Sequence, residues 1–263
     1  MGYTLVKNFL RRHMQHPRLY AYARRVLLVG QYLLRIPDEP DFRVFSAFRQ
    51  RSGGTLVDVG ANGGQSAIAF AFICPKFKII SFEPNPDLWS ELEFVKWVVG
   101  RRRFTFHRHG LGDTDSEMVL HVPMLGSLPI TTRASLRNDS ANEHIKNLEK
   151  EIGKTITVKE MRVSIKRFDD LDILPDAIKI DVEGFELSVL QGMVRTIETC
   201  HPFFMLEHND ESELCKKFLR QYGYRIYEYD VSSGRLSSKP VQKTRNWFGV
   251  PNNSDLDGLF DAK

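Results

Sequence analysis

Five carboxylates in this chain of 263 residues stand where a short apolar run gives way to a turn. Asp58 lies within Leu56-Val-Asp-Val59, and Glu83 follows Phe77-Lys-Ile-Ile-Ser-Phe82. Asp113 stands just past Phe104-Thr-Phe-His-Arg-His109, Asp181 follows Ala177-Ile-Lys-Ile180, and Glu207 ends Phe203-Phe-Met-Leu206. Short apolar runs of this kind read as buried strands. In an open α/β sheet the ligand binds outside the carboxyl ends of the strands, so these acids should gather along one rim. There they can attract a cation, accept ribose hydroxyls, or take a proton from an attacking hydroxyl. Any one of them would serve equally well as a helix cap or half of a salt bridge. Their recurrence at equivalent places is what argues for a site.

The first run leads into Gly60-Ala-Asn-Gly-Gly64 and then into Gln65–Ile73, a segment of helix length. Glycines let the backbone approach a ligand, and the free N–H groups of the helix start offer an anion site, with Gly60, Asn62 and Gly63 as candidate cofactor contacts. A dinucleotide fingerprint would need glycine where the chain has Asn62, and no Gly-Lys-Ser/Thr follows for a P-loop. Glu83, with Pro84 after it, follows Gly60 at about the 20-residue spacing at which an acid caps ribose hydroxyls. A cofactor with a ribose and no pyrophosphate remains, and S-adenosylmethionine meets that description. Its carboxylate can use the turn's N–H groups, and Asp58 can meet its ammonium directly or through water.

The elements that must position these residues alternate along the chain. Helical patterns cover about 5–14, 18–35 and 41–51, followed by a strand at 55–59, a helix at 64–73, a strand at 77–82 and a helix over 86–99. Strands at 104–109, 117–122, 161–165, 177–181 and 203–207 follow, with helices at 185–197 and 211–221 and two last strands at 224–229 and 245–250. Alternation of this kind predicts a doubly wound, mostly parallel α/β sheet. The polar, proline-interrupted stretch 123–160 reads as a lid or substrate-facing insertion. The expected organisation is a basic helical extension over 1–52, a catalytic domain over 53–251 and a polar tail over 252–263.

Hydrophobic content of 42% and charged content of 27% are ordinary for a globular chain. Three cysteines without a C-x-x-C pair argue against a disulfide framework and a zinc ribbon. Residues 1–37 hold seven of the basic residues and no acid, so the rest of the chain is slightly acidic and no nucleic-acid surface is implied. The longest apolar run of that arm is interrupted by Gln31 and is far short of a membrane span. With no signal-peptide pattern, the cytoplasm is the default expectation. The arm reads either as helices packed beside the core or as a basic face for peripheral contact with an anionic membrane. Oligomeric state has no signal.

The motifs Val57-Asp-Val-Gly-Ala-Asn-Gly-Gly64, Phe82-Glu-Pro-Asn-Pro86, Gly110-Leu-Gly-Asp113, Lys179-Ile-Asp-Val-Glu-Gly184, Leu190-Gln-Gly192 and Asn246-Trp-Phe-Gly-Val-Pro251 together resemble those of FkbM-type methyltransferases. These are a branch of the class I S-adenosylmethionine-dependent enzymes. The resemblance covers about residues 53–251 and leaves the basic arm outside. It implies a seven-stranded sheet with its last strand antiparallel, and O-methylation of a glycan or natural-product hydroxyl. Many members carry histidine after Val-Glu-Gly; this chain has Phe185, so that histidine's role does not carry over.

Methyl transfer from a sulfonium is an in-line displacement, aided by a base for the acceptor hydroxyl. Asp181, Glu183 and Glu207 are the acids expected nearest the methyl group, and His208 is the alternative base because imidazole titrates near neutrality. Asp181 and Glu207 also have the oxygen ligands that Mg²⁺ takes, although carboxylates gather without a metal and none is assigned. Two other functions fit the same pattern of acids: a non-catalytic S-adenosylmethionine-binding regulator or assembly partner, and an oxidoreductase on the same fold, against which the missing fingerprint argues.

Overall fold

The computed structural model describes residues 17–241 and 244–254. The helical pattern expected at 5–14 lies outside them. The described chain opens on α1 (Pro17–Leu34) and a 3₁₀ stretch (Pro40–Gln50), then runs β1 (Gly54–Val59), α2 (Gln65–Ile73), β2 (Phe77–Phe82), α3 (Trp89–Val99) and β3 (Phe104–His107). Next come β4 (Gly110–Gly112), β5 (Ser116–Leu125), β6 (Leu128–Pro129), α4 (Asn138–Ile152) and β7 (Thr157–Arg167). The chain continues as β8 (Ala177–Ile180), α5 (Glu186–Gln191), α6 (Val194–Cys200), β9 (Phe203–Glu207), α7 (Ser212–Gln221), β10 (Tyr224–Asp230), β11 (Arg235–Ser237) and β12 (Asn246–Pro251).

The main sheet has the order β11-β10-β12-β9-β8-β1-β2-β3. Its five strands from β9 to β3 are parallel, and β12, β10 and β11 add on in antiparallel pairs. Parallel strands are covered on both faces, which is why β8 and β9 read as nearly continuous apolar runs. On one face Leu28, Phe42, Phe45 and Phe48 pack with Phe70 of α2. On the other, Val189, Leu190, Ile197 and Leu219 pack with Trp247. Seven of α2's nine residues are buried, because α1, the 3₁₀ stretch and α3 cover the side away from the sheet.

Three expectations need correction. The sheet has eight strands rather than seven, because a turn at Asp230–Gly234 folds β11 back on β10; Ser232 donates its N–H and O–H to Asp230 there. Mixed pairing also goes further than a mostly parallel sheet, since a second sheet, β4-β7-β5-β6, stands apart from the first. Its β5 and β7 pair antiparallel from Ser116↔Ile165 to Met124↔Thr157, with Leu120, Val122, Val163 and Ile165 on the buried face. Stretch 123–160 therefore contains β6, α4 and the start of β7. The helix expected over 185–197 is two helices, broken near Gly192, where a Cβ would collide with the Gly112 carbonyl.

Candidate active site

A cavity of about 370 Å³ opens over the carboxyl ends of β1, β2, β8 and β9. Its floor is Gly60, Asn62, Glu83, Pro84, Asp181, Glu183 and Glu207, while Thr131, Arg133, Leu136, Leu148 and Glu151 close it from above. The segment between β6 and α4, together with α4, supplies that cover.

The glycine turn is built around contacts that tolerate no side chain. Gly60 has φ +79°, and a Cβ there would strike the Asp181 carbonyl, so β1 and β8 meet at this point. Asn62 is left-handed at φ +49°, a conformation asparagine accepts better than most residues. Its N–H donates to Glu83 Oε2 at 2.7 Å, and the Asn85 N–H donates to Glu83 Oε1 at 2.8 Å. Burial pushes the Glu83 carboxyl up to about 7 against those two hydrogen bonds. Asn62 Oδ1 accepts three donors: Gly63 N–H at 2.8 Å, Thr131 Oγ1 at 3.1 Å and Arg24 Nη2 at 3.2 Å. One amide oxygen thus joins α1, the turn and the cavity's cover.

Beneath the cavity Asp58 is wholly buried and accepts from Ser66 Oγ at 2.8 Å and Ser81 Oγ at 3.2 Å. Its Oδ1 has no hydrogen-bond partner among the described residues and lies 3.6 Å from Lys179 Nζ. Burial raises the Asp58 carboxyl. Lys179 also reaches Asp181 Oδ2 at 3.1 Å. Burial alone would lower its ammonium, but Asp181 and Asp58 outweigh that and hold it above the usual lysine range.

Ligand atoms of Asp181, Glu183 and Glu207 all lie within 4.8 Å of one another, so the trio has the donor set for a divalent cation. Burial, then the charges of Asp181 and Glu183, pushes Glu207 up to about 9. Burial and the Asp181 charge push Glu183 up to about 8. Asp181 goes the other way: burial raises it, but Lys179 and a hydrogen bond from Glu207 hold it below the ordinary range. Asp181, beside the Lys179 ammonium, is thus the acid of the trio that ionises most readily, and Arg245 Nη2 lies 3.8 Å from Glu207 Oε1.

Several residues expected at the site lie off the cavity wall. His208 follows Glu207 in sequence, and side chains alternate sides at a strand end. Its Nε2 faces Glu228 at 3.5 Å and Thr244 at 3.4 Å, between β10 and β12. Asp113 is exposed and exchanges hydrogen bonds with Ser188 at 3.0 and 3.1 Å; Gly110 and Leu111 line the cavity instead. Asp58 sits below the floor, and Gly63 lies under the Arg24 guanidinium.

Three side chains were missed. Lys179 had a signal, an ammonium between Ile178 and Ile180 in a buried strand. His144 had none: it comes from α4, with Nε2 3.6 Å from Glu183 Oε2 and Nδ1 3.2 Å from the Arg133 carbonyl, and burial lowers its pKa. It brings an imidazole to Glu183 while Phe185, partly buried, packs against the core. Arg24 lies far upstream of the turn it covers.

The profile of the methyltransferase FkbM domain matches residues 58–226, from the buried aspartate of β1 to β10. The chain belongs to the FkbM methyltransferase family. Methyltransferase 1 of Beauveria bassiana (strain ARSEF 2860) is 27% identical over 149 residues, which are 52% of this chain and 57% of that protein. The crystal structure of methyltransferase FkbM from Methylobacillus flagellatus KT superposes with a TM-score of 0.50 at 19% identity, covering 88% of this chain and 53% of that one. A precorrin-6y C5,15-methyltransferase from Geobacter metallireducens GS-15 gives 0.43 at 13% identity, over 80% of this chain and 86% of that one. This FkbM-family chain spans little more than half the length of the first two relatives. Arg24 lies outside the residues that the family profile matches, whereas Thr131, His144 and Lys179 lie within them.

Proposed function

We propose that this chain is an S-adenosylmethionine-dependent O-methyltransferase acting on a hydroxyl of a sugar, glycan or natural product. One observation supports this above the others: the glycine turn, Glu83 and the cluster Asp181, Glu183 and Glu207 share one cavity. The wall suits this cofactor. Glu83 would accept ribose hydroxyls, and the acids would meet a ligand that is cationic at sulfur and nitrogen. The α2 N-terminus and Arg24 stand at the turn for a carboxylate. When bound, the cofactor supplies an electrophilic methyl group for in-line displacement.

The chain's own residues do the rest. A cation in the cavity lowers the proton affinity of Glu183 and Glu207, so a group that holds its proton in the free protein becomes able to accept one. Glu183 then takes the acceptor's hydroxyl proton, and Asp181, fixed by Lys179, accepts a hydrogen bond that orients the hydroxyl. His144 faces Glu183 from the cover side at 3.6 Å. Leu136 and Leu148 exclude water, and Arg133 and Glu151 offer polar contacts to a hydroxyl-rich acceptor.

The test is transfer of a labelled methyl group from S-adenosylmethionine into the glycan and glycoside fraction of a lysate from a strain lacking the protein. The expected product carries the label as a methyl ether. Asp181→Asn and Glu183→Gln each lower turnover by about 10²-fold or more, while calorimetry finds S-adenosylhomocysteine bound as in the parent. A parent protein that neither binds S-adenosylhomocysteine nor labels any acceptor overturns the proposal.

A further inference from the structure

Helix α1 carries apolar residues on the side it turns to solvent as well as on the side it turns to the protein. Leu28 and Tyr20 are buried together with Gln31, and Arg24 points at Asn62. Opposite them, Leu19, Tyr22, Val26 and Leu33 are 56%, 70%, 54% and 72% exposed. With 3.6 residues per turn these four fall within an arc of about 60°. The other residues near that arc are Val29 and Gly30, so the outward stripe holds no charge over the length of the helix. A helix on the surface of a globular protein shows the reverse pattern, with charge outward. Leu34, the last residue of the helix, and Ile36 beyond it add further exposed apolar surface, at 70% and 53%.

We infer that this face docks in the plane of an anionic lipid surface. Charge identifies the occupant. Residues 1–37 contain seven basic residues and no acid, with Arg18 and Arg35 bracketing the stripe in sequence. Arg101 and Arg102 are exposed just after α3, the helix next to α1. A protein partner would need a matching apolar strip framed by acids. An anionic bilayer offers both properties everywhere, and helices with basic flanks and an apolar face lie in its interface. Aromatic residues that favour that depth are present. Tyr22 is on the stripe, and Trp97 of α3 is 75% exposed and stacked at 6.0 Å on Phe94, the ring that the Arg25 guanidinium covers at 5.4 Å. No helix among the described residues is long and apolar enough to cross a membrane, so the contact is peripheral. The inference does not depend on the methyl-transfer reading. Through Arg24 and Asn62, however, the docked helix is the one that touches the glycine turn.

Co-sedimentation of the full chain with vesicles tests it. The parent should bind phosphatidylcholine–phosphatidylglycerol vesicles and bind phosphatidylcholine alone far more weakly, with binding falling as salt rises. The triple variant Leu19→Ser, Val26→Ser, Leu33→Ser should lose more than about tenfold in partitioning at an unchanged melting temperature. Arg35→Glu should lose about fivefold or more. Three results would overturn the inference. The parent could stay in the supernatant at low salt, or the triple variant could bind as well as the parent. The third is a parent that fails to bind vesicles and is a dimer in solution, with the triple variant monomeric, which would assign the face to a second copy.

Discussion

Asn62 Oδ1 collects donors from α1, the turn and the cavity's cover, and of these Arg24 alone brings a full charge. A carboxylate at the α2 N-terminus would compete with Asn62 for that guanidinium. Arg24→Gln should therefore weaken S-adenosylhomocysteine binding by about tenfold, in the range of one charge-assisted hydrogen bond. Methylthioadenosine, which lacks the amino-acid end, should bind the variant and the parent alike. Calorimetry with both ligands checks this, and an equal loss for the two would make Arg24 a structural residue only. Lys179 leads to a second expectation. Its ammonium, 3.1 Å from Asp181, already supplies the positive charge that a metal would bring to the cluster. Turnover in a strong chelator should match turnover in Mg²⁺, and a loss restored by Mg²⁺ would assign the trio to a metal.

At the scale of elements, the β1–turn–α2 unit was legible because each residue had a local reason to be there. Buried strand residues lead into a left-handed Gly60 and the start of an apolar helix. Gly60→Ala should cost about 2–4 kcal/mol, since left-handed backbone alone costs about 1–2 and the new Cβ also strikes the Asp181 carbonyl. Gly126→Ala, with φ +60° and no atom within 4 Å of its Cβ, should cost only the backbone strain, about 1–2 kcal/mol. Urea unfolding of the two variants separates collision from strain. The second sheet was not legible in the same way. Strand β5 mixes exposed Glu117 and Val119 with buried Leu120 and Val122, and its partner β7 lies beyond a polar helix. No local pattern shows that Val163 covers the same core as Leu120. The site divides similarly. Glu83, Asp181, Glu183 and Glu207 could be read from strand ends. Arg24 and His144 reach the site through tertiary packing that spacing does not encode, and His208 was misplaced because sequence adjacency ignored the two-residue alternation.

For the molecule as a whole, the acids of the cavity make stability depend on pH. Glu83, Glu183 and Glu207 move from an ordinary value of 4.5 to about 7, 8 and 9. Each folded carboxyl keeps its proton where the unfolded chain has lost it. Their contribution to stability is thus fully present below the unfolded value of 4.5 and is lost as pH rises through the folded values. Asp181, lowered below 3.8, has the opposite dependence: its contribution is present above its unfolded value and is lost only as pH falls through its folded one. It does not oppose the trend between neutral and alkaline pH. The free protein should therefore melt at a lower temperature at about pH 9 than at about pH 6. At about pH 8, Glu207→Gln should stabilise it by about 2 kcal/mol or more, because the amide cannot ionise in the unfolded chain yet can still donate to Asp181. S-adenosylmethionine, a cation, should raise the melting temperature more at about pH 9 than at about pH 6, since only a positive ligand compensates carboxylates ionised in the cavity. The neutral sulfide of S-adenosylhomocysteine should give a smaller difference between the two pH values. Thermal melts of parent and Glu207→Gln with each ligand check these expectations, and identical pH dependence for the two proteins would mean that Glu207 ionises in the fold as freely as in water.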